Sequence, residues 1–288
     1  MEKYYRFAGV EVSVCIPDEW MYPDDRQLAP FRIPRAEAPH IFHFDPVERL
    51  TAPSGMLEAL IPGVRIYREG DGYVRYIGTV ENGWENAYIR AEHGTKESHV
   101  QVKINKKLTH IGAKTVLNSM GAEHLVAQAG GFLFHCSYID IGGKGILFTA
   151  PSGTGKSTQA ELWAEHRDAE IINGDRAAVC ANGSGIMAEG IPFCGSSSHC
   201  SSRTLPIAAI VYLSQAPKTV IRKLRGVEAF SKIWEGVSIN TWIREDVEAV
   251  SNAVLRTAAE IPVYHLACTP DESAVIALEE ALRRQESL

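Results

Sequence analysis

The chain has 288 residues, 45% hydrophobic and 22% charged, the balance of a globular protein that buries a core without disulfide or metal staples. With 29 basic against 35 acidic residues the net charge is −6, which argues against a dedicated binder of nucleic acid or of an anionic membrane surface. The six cysteines, at 15, 136, 180, 194, 200 and 268, form no CxxC pair and read as reduced thiols of a cytoplasmic protein. Cys194, His199 and Cys200 lie close together, but their spacing matches no common zinc pattern. Glu2, Glu11 and Asp18 precede any apolar stretch of signal-peptide length, and the most apolar run, Ile207 to Leu213, is far short of the ~18 to 20 residues of a membrane span.

From Tyr4 to about Asn105, short extended runs alternate with turn chemistry. The runs are Val10 to Ile16, Ile41 to Phe44, Val64 to Tyr67, Tyr73 to Val80, Ala87 to Ala91 and Val100 to Ile104. Glu69-Gly70-Asp71-Gly72 is a hairpin signal between two of them. These features predict a small β-rich domain over 1–107, whose histidines at 40, 43, 93 and 99 form no chemical constellation.

Helical spacing begins near Leu108. Ala113, Leu117, Met120, His124 and Ala127 recur on one face up to Gly130-Gly131, predicting one helix that opens a second domain over 108–288. His124 reads as a hydrogen-bonded structural histidine. Phe132 to Asp140 and Ile146 to Thr149 predict the two strands of a hairpin turned by residues 142–145. Strands at Glu170 to Asn173, Ile207 to Leu213 and Val263 to Ala267 then alternate with helices at Val227 to Val237 and Asp246 to Ala259. A capping box, Thr269 to Glu272 with Pro270 at the first helical position, launches a last helix. This alternation predicts an α/β domain of nucleotide-binding type.

Between the predicted hairpin and the next helix runs Ala150-Pro151-Ser152-Gly153-Thr154-Gly155-Lys156-Ser157-Thr158. It fits a Walker A phosphate loop except that Ala150 stands in place of the first glycine. Gly153 and Gly155 let successive backbone N–H groups turn toward phosphate oxygens, Lys156 carries charge to the β and γ phosphates, and the Ser157 hydroxyl suits Mg²⁺. Phosphoryl transfer also needs an acid near the metal, and Asp175 follows the strand Glu170 to Asn173. As a water-mediated Mg²⁺ ligand or as the base for an attacking hydroxyl, Asp175 fits both roles. His135 lies on the first strand of the hairpin, which pairing can bring back toward the loop.

These residues resemble the C-terminal domain of the HPr kinase/phosphorylase family and, more remotely, the phosphate loop of phosphoenolpyruvate carboxykinase. The similarity rests on the strand with His135, the glycine-rich hairpin, the loop 151–158 and Ile171-Ile172-Asn173-Gly174-Asp175-Arg176. It implies an α/β P-loop kinase domain with ATP as donor and Mg²⁺ as cofactor. Residues 152–158 would hold nucleotide, Ser157 and Asp175 the metal, and Lys156, His135 and Asp175 would be catalytic. Where the family has two adjacent acids this chain has Gly174-Asp175, and the family's later glycine- and arginine-containing signature is missing, so the resemblance points to a relative with an acceptor other than HPr.

The expected acceptor is a serine-type hydroxyl on a peptide, protein or small molecule. A P-loop NTPase or nucleotide-gated peptide-binding protein, with a peptide-modification setting, is the alternative reading. Downstream, Glu189 to His199 resembles a Gly-x-Pro-aromatic-x-Gly turn of unassigned relatives, with Ser196, Ser197, Ser198 and Arg203 as further residues suited to face phosphates. The sequence sets no oligomeric state.

Overall fold

The computed structural model describes residues 1–20, 26–70, 72–79, 83–104, 110–195 and 199–286. The chain is a mixed α/β protein with large sheets, and it divides into two compact units, Met1–Arg6 with Val10–Ala122, and Phe7–Gly9 with Glu123–Leu288.

The first unit is built on β1 (Glu2–Phe7), β2 (Val10–Cys15), β3 (Arg32–Ile33), β4 (His40–Val47), β5 (Met56–Ile61), β6 (Val64–Glu69), β7 (Gly72–Gly78), β8 (Ala87–His93) and β9 (Glu97–Lys103), followed by helix α1 (Ala113–Ser119). The strands form one sheet in the order β3-β1-β2-β4-β9-β8-β7-β6-β5. Alternation drives it: in β9, Ser98, Val100 and Val102 are buried while Glu97 and His99 face out. Strand β5 has no counterpart among the predicted runs. Its Met-Leu-Glu-Ala-Leu-Ile sequence has one β-branched residue and exposes both faces at the sheet edge, so there is no inside-outside rhythm to read.

The predicted helix over 108–127 is two helices, α1 and α2 (Ala122–Gln128). Gly121 between them takes φ +58°, a left-handed conformation that ends a helix. A side chain at Gly121 would also press on Arg75 and His93 at 3.3 Å. Helix α1 packs with β8, and the two compact units divide after Ala122; the expected 107/108 boundary lies outside the described residues.

The second unit continues from α2 with β10 (Phe132–His135), β11 (Ser137–Ile141), β12 (Lys144–Thr149), α3 (Lys156–Arg167), β13 (Glu170–Asn173), β14 (Arg176–Asn182), β15 (Gly185–Gly190), β16 (Thr204–Gln215), β17 (Val220–Leu224), α4 (Gly226–Trp234), β18 (Val237–Ser238), α5 (Arg244–Glu260), β19 (Val263–Cys268) and α6 (Glu272–Glu286). The long strand β16 belongs to two ladders. Residues 204–206 pair antiparallel with β15, whereas the rest runs parallel to both β12 and β19. Leu147 and Ile210 face a core closed by α4 and α5. Ile146, Phe148 and Val211 face a second core containing Trp163 of α3 and Leu278 of α6. Burial on both faces explains why β12 and β16 read as continuous apolar runs.

Phe132 to Asp140 is not one strand. β11 pairs with β12 as the hairpin requires, but β10 leaves it at Cys136 to pair with β14 and β18. Backbone groups at the crossing are taken by other segments: His135 N–H donates to Gly236 O at 2.7 Å, and Thr149 Oγ1 donates to His135 O at 3.0 Å. The six cysteines are free thiols. Among the described residues, no helix is long and apolar enough to cross a membrane.

Candidate functional site

Strand β12 runs into the loop 150–155, which delivers Lys156 as the first residue of α3. Gly153 (φ +77°) and Gly155 (φ +120°) have open space where a Cβ would stand, so conformation and not crowding calls for glycine there. No side chain caps the helix at Gly155, leaving first-turn amides available to an anion. Lys156 is 9% exposed, and its Nζ donates to Ala150 O at 3.0 Å, curling back over the loop. Burial lowers its pKa from the usual lysine value, with the negative charge of Asp175 acting in the opposite direction.

Asp175 sits in the turn between β13 and β14, and Asn173 holds that turn. The fully buried Asn173 accepts the backbone N–H groups of Asp175 (2.9 Å) and Arg176 (3.0 Å) on Oδ1, while its Nδ2 donates to Ile191 O at 2.9 Å. The Asp175 carboxylate lies 3.7 Å from His135 Nδ1 and 3.4 Å from Arg176 Nε. Register explains this grouping, since His135 at the end of β10 pairs opposite Arg176 at the start of β14. Burial, and then the charge of Lys156, push the His135 pKa down, which favours the neutral imidazole. Gly195 (φ +55°) backs onto the acid: a Cβ there would lie 2.8 Å from Asp175 Cγ.

These parts share one cavity of about 560 Å³. The loop and α3 contribute Ser152, Gly153, Gly155, Lys156, Ser157 and Thr158. His135, Gly174 and Asp175 arrive from the β10 and β13–β14 segments. Thr154 instead lines a neighbouring cavity that shares Gly153, Gly155 and Thr158 with the first. Ser157, Asp175 and Glu161 bring oxygen donors to the first cavity, a set that suits a hard cation such as Mg²⁺.

Sequence reasoning did not single out Glu161 or His199 for the cavity wall, nor Asn173 and Arg176 for their hold on Asp175. The signal available for Asn173 was an amide at the end of an apolar strand, a residue suited to closing an Asx turn. Arg203 serves elsewhere. It pairs with the buried Asp140 at 2.5 Å and with Glu170, and it does not line this cavity. Ser196, Ser197 and Ser198 lie outside the described residues. Cys200 donates to Ile191 O at 3.6 Å, and burial pushes its thiol up to about 12.

No family model matches the sequence, and no curated protein matches it. Among solved structures, the Hpr(Ser) kinase/phosphatase from Coxiella burnetii aligns with a TM-score of 0.33 and 9% sequence identity, covering 54% of this chain and 90% of that one.

Proposed function

We infer that the second unit is a P-loop phosphotransferase domain that moves the γ-phosphate of ATP to a hydroxyl on a peptide, a protein or a small molecule. The observation that carries this reading is that Asp175 and Lys156, delivered by separate elements, face one cavity together with the loop amides. A cation alone would serve binding. A carboxylate beside it adds what transfer to a neutral hydroxyl requires, an acceptor for the departing proton.

In this reading the loop N–H groups and Lys156 bind the triphosphate and neutralise charge that moves onto the β-phosphate. Mg²⁺, held by Ser157 and Asp175 with Glu161 in reach, would supply further charge neutralisation. The acceptor oxygen attacks the γ-phosphorus, the bond to the β-bridging oxygen breaks, and the hydroxyl proton passes to Asp175. Neutral His135, 3.7 Å from the carboxylate, adds no positive charge beside it. Incubation with γ-labelled ATP, Mg²⁺ and a panel of hydroxyl-bearing peptides and small molecules tests the reading. Label on an acceptor oxygen supports it, whereas label released only as free phosphate moves the domain to the NTPase class.

A further inference from the structure

Two thiols meet beside the turn that carries Asp175. Cys194 is 2% exposed, Cys200 is half-buried, and neither is in a disulfide. Their side chains are hydrogen-bonded to each other, although Gly195 and His199 lie between them in the chain. Asn173 anchors both sides of this stretch. Its Nδ2 donates to Ile191 O at 2.9 Å and to Phe193 O at 3.4 Å, and its backbone forms an antiparallel bridge with Cys200. The residue that holds Asp175 in place thus also brings the two sulfurs together. Where thiols are kept reduced, disulfides that do form are transient and redox-responsive, not structural staples.

We propose that Cys194 and Cys200 form an oxidation site that a peroxide closes to a disulfide, and that closure displaces Asp175 and slows transfer; the second part rests on the phosphotransfer reading above. The half-buried Cys200 sulfur attacks one peroxide oxygen, the O–O bond breaks, and a sulfenic acid and a first water form. The Cys194 sulfur then displaces the sulfenic oxygen, which leaves with the thiol proton as a second water. Two thiols and one hydrogen peroxide give one disulfide and two waters, the sulfurs losing the two electrons that the peroxide gains. Burial pushes the Cys200 thiol up to about 12, so thiolate is scarce at neutral pH and the first step quickens as pH rises. Bonded sulfurs lie ~2 Å apart, closer than hydrogen-bonded thiols, so the residues beside them must shift. Gly195 follows Cys194 and backs onto the carboxylate, where a Cβ would come within 2.8 Å of Asp175 Cγ. His199 precedes Cys200 and lines the phosphate cavity. The shift therefore falls on the base, whereas Lys156 and the loop amides belong to a separate segment.

The test compares the full chain before and after hydrogen peroxide by peptide mapping without reductant, by label transfer from γ-labelled ATP to the acceptor panel, and by calorimetry with Mg²⁺ and tripolyphosphate. The peptide 190–203 carries no other cysteine, so the link reads as loss of two hydrogens there with both thiols closed to alkylation. The link should form at a rate that rises about tenfold per pH unit near neutrality, as the thiolate fraction does. Transfer should fall by about tenfold or more, since a misplacement of about 1 Å can cost ~10²-fold, and dithiothreitol should restore it. Tripolyphosphate affinity should stay within about threefold, the phosphate loop being outside the linked segment. Reduced Cys200→Ala should transfer at close to the parent rate and ignore peroxide, and Cys194→Ala gives the same reading from the other sulfur. Peroxide-treated parent without the link overturns the oxidation site, and linked protein that transfers at the reduced rate overturns its hold on Asp175. Reduced parent that transfers no label removes the phosphotransfer reading, and the mapping alone then decides the oxidation site.

Discussion

The buried amide of Asn173 holds the backbone of Asp175, accepting its N–H at 2.9 Å and that of Arg176 at 3.0 Å. The acid is therefore placed by a residue that does not line the cavity. Asn173→Ala should cost about 1–3 kcal/mol of stability, since it leaves buried backbone groups without partners. It should also lower transfer, in kcat, more than it lowers nucleotide affinity. Chemical denaturation and steady-state kinetics on the same preparation check both, and equal effects on kcat and affinity would mean that Asn173 merely supports the loop.

In the proposed reading, Lys156 makes nucleotide affinity sensitive to alkaline pH. Burial depresses its pKa below the ordinary lysine value, so its charge is lost earlier than that of a surface lysine as pH rises. Binding of tripolyphosphate should weaken as pH rises toward that range, and Lys156→Ala should abolish this dependence while weakening binding at neutral pH. An unchanged affinity in Lys156→Ala would remove the loop from the site.

Acid should destabilise the second unit through His135. Its pKa is lowered from 6.5, first by burial and then by the charge of Lys156, so just below pH 6.5 the unfolded chain binds the proton that the folded chain refuses. The stability held by neutral His135 is therefore present above about pH 6.5 and is lost as pH falls toward the depressed value. His135→Gln should flatten that part of the stability profile between pH 7 and pH 5, measured by denaturant midpoints. An identical slope in the variant contradicts the assignment.

Asp246 is a structural acid away from this cavity. Fully buried, it accepts from His124 Nδ1 at 2.8 Å, Gln128 Nε2 at 3.3 Å and Asn240 Nδ2 at 3.2 Å. Asp246→Ala strands these donors and should cost about 1–3 kcal/mol, leaving nucleotide affinity per folded molecule unchanged. Thermal unfolding with and without Mg-ATP separates the two quantities.

The legible parts of this chain were those where local chemistry dictates geometry. Gly153 and Gly155 bracket a loop between an apolar strand and a helix, and Asp175 follows an apolar strand, so their approximate placement could be read in order. His135 was harder. Its approach to Asp175 depends on β10 leaving the hairpin at Cys136 to pair with β14, a long-range choice that no local period encodes. The break at Gly121 was hidden because Met120, His124 and Ala127 keep helical spacing across it. Arg203 looked available for phosphate because its partners Asp140 and Glu170 are distant in sequence. The roles of Asn173 and Gly195 depend on a tertiary approach to Asp175 that spacing alone does not contain.

In the proposed reaction Asp175 takes the proton from an attacking hydroxyl at a phosphate site built on Lys156. The most direct measurement compares the parent with Asp175→Asn, following label from γ-labelled ATP onto a hydroxyl acceptor alongside Mg-ATP affinity by calorimetry. The amide keeps the shape of the side chain but is a far poorer proton acceptor, so transfer should fall by ~10² to 10⁴, a larger factor than the loss of Mg-ATP affinity that comes from a weaker metal ligand. Transfer by Asp175→Asn at the parent rate would rule out Asp175 as the base.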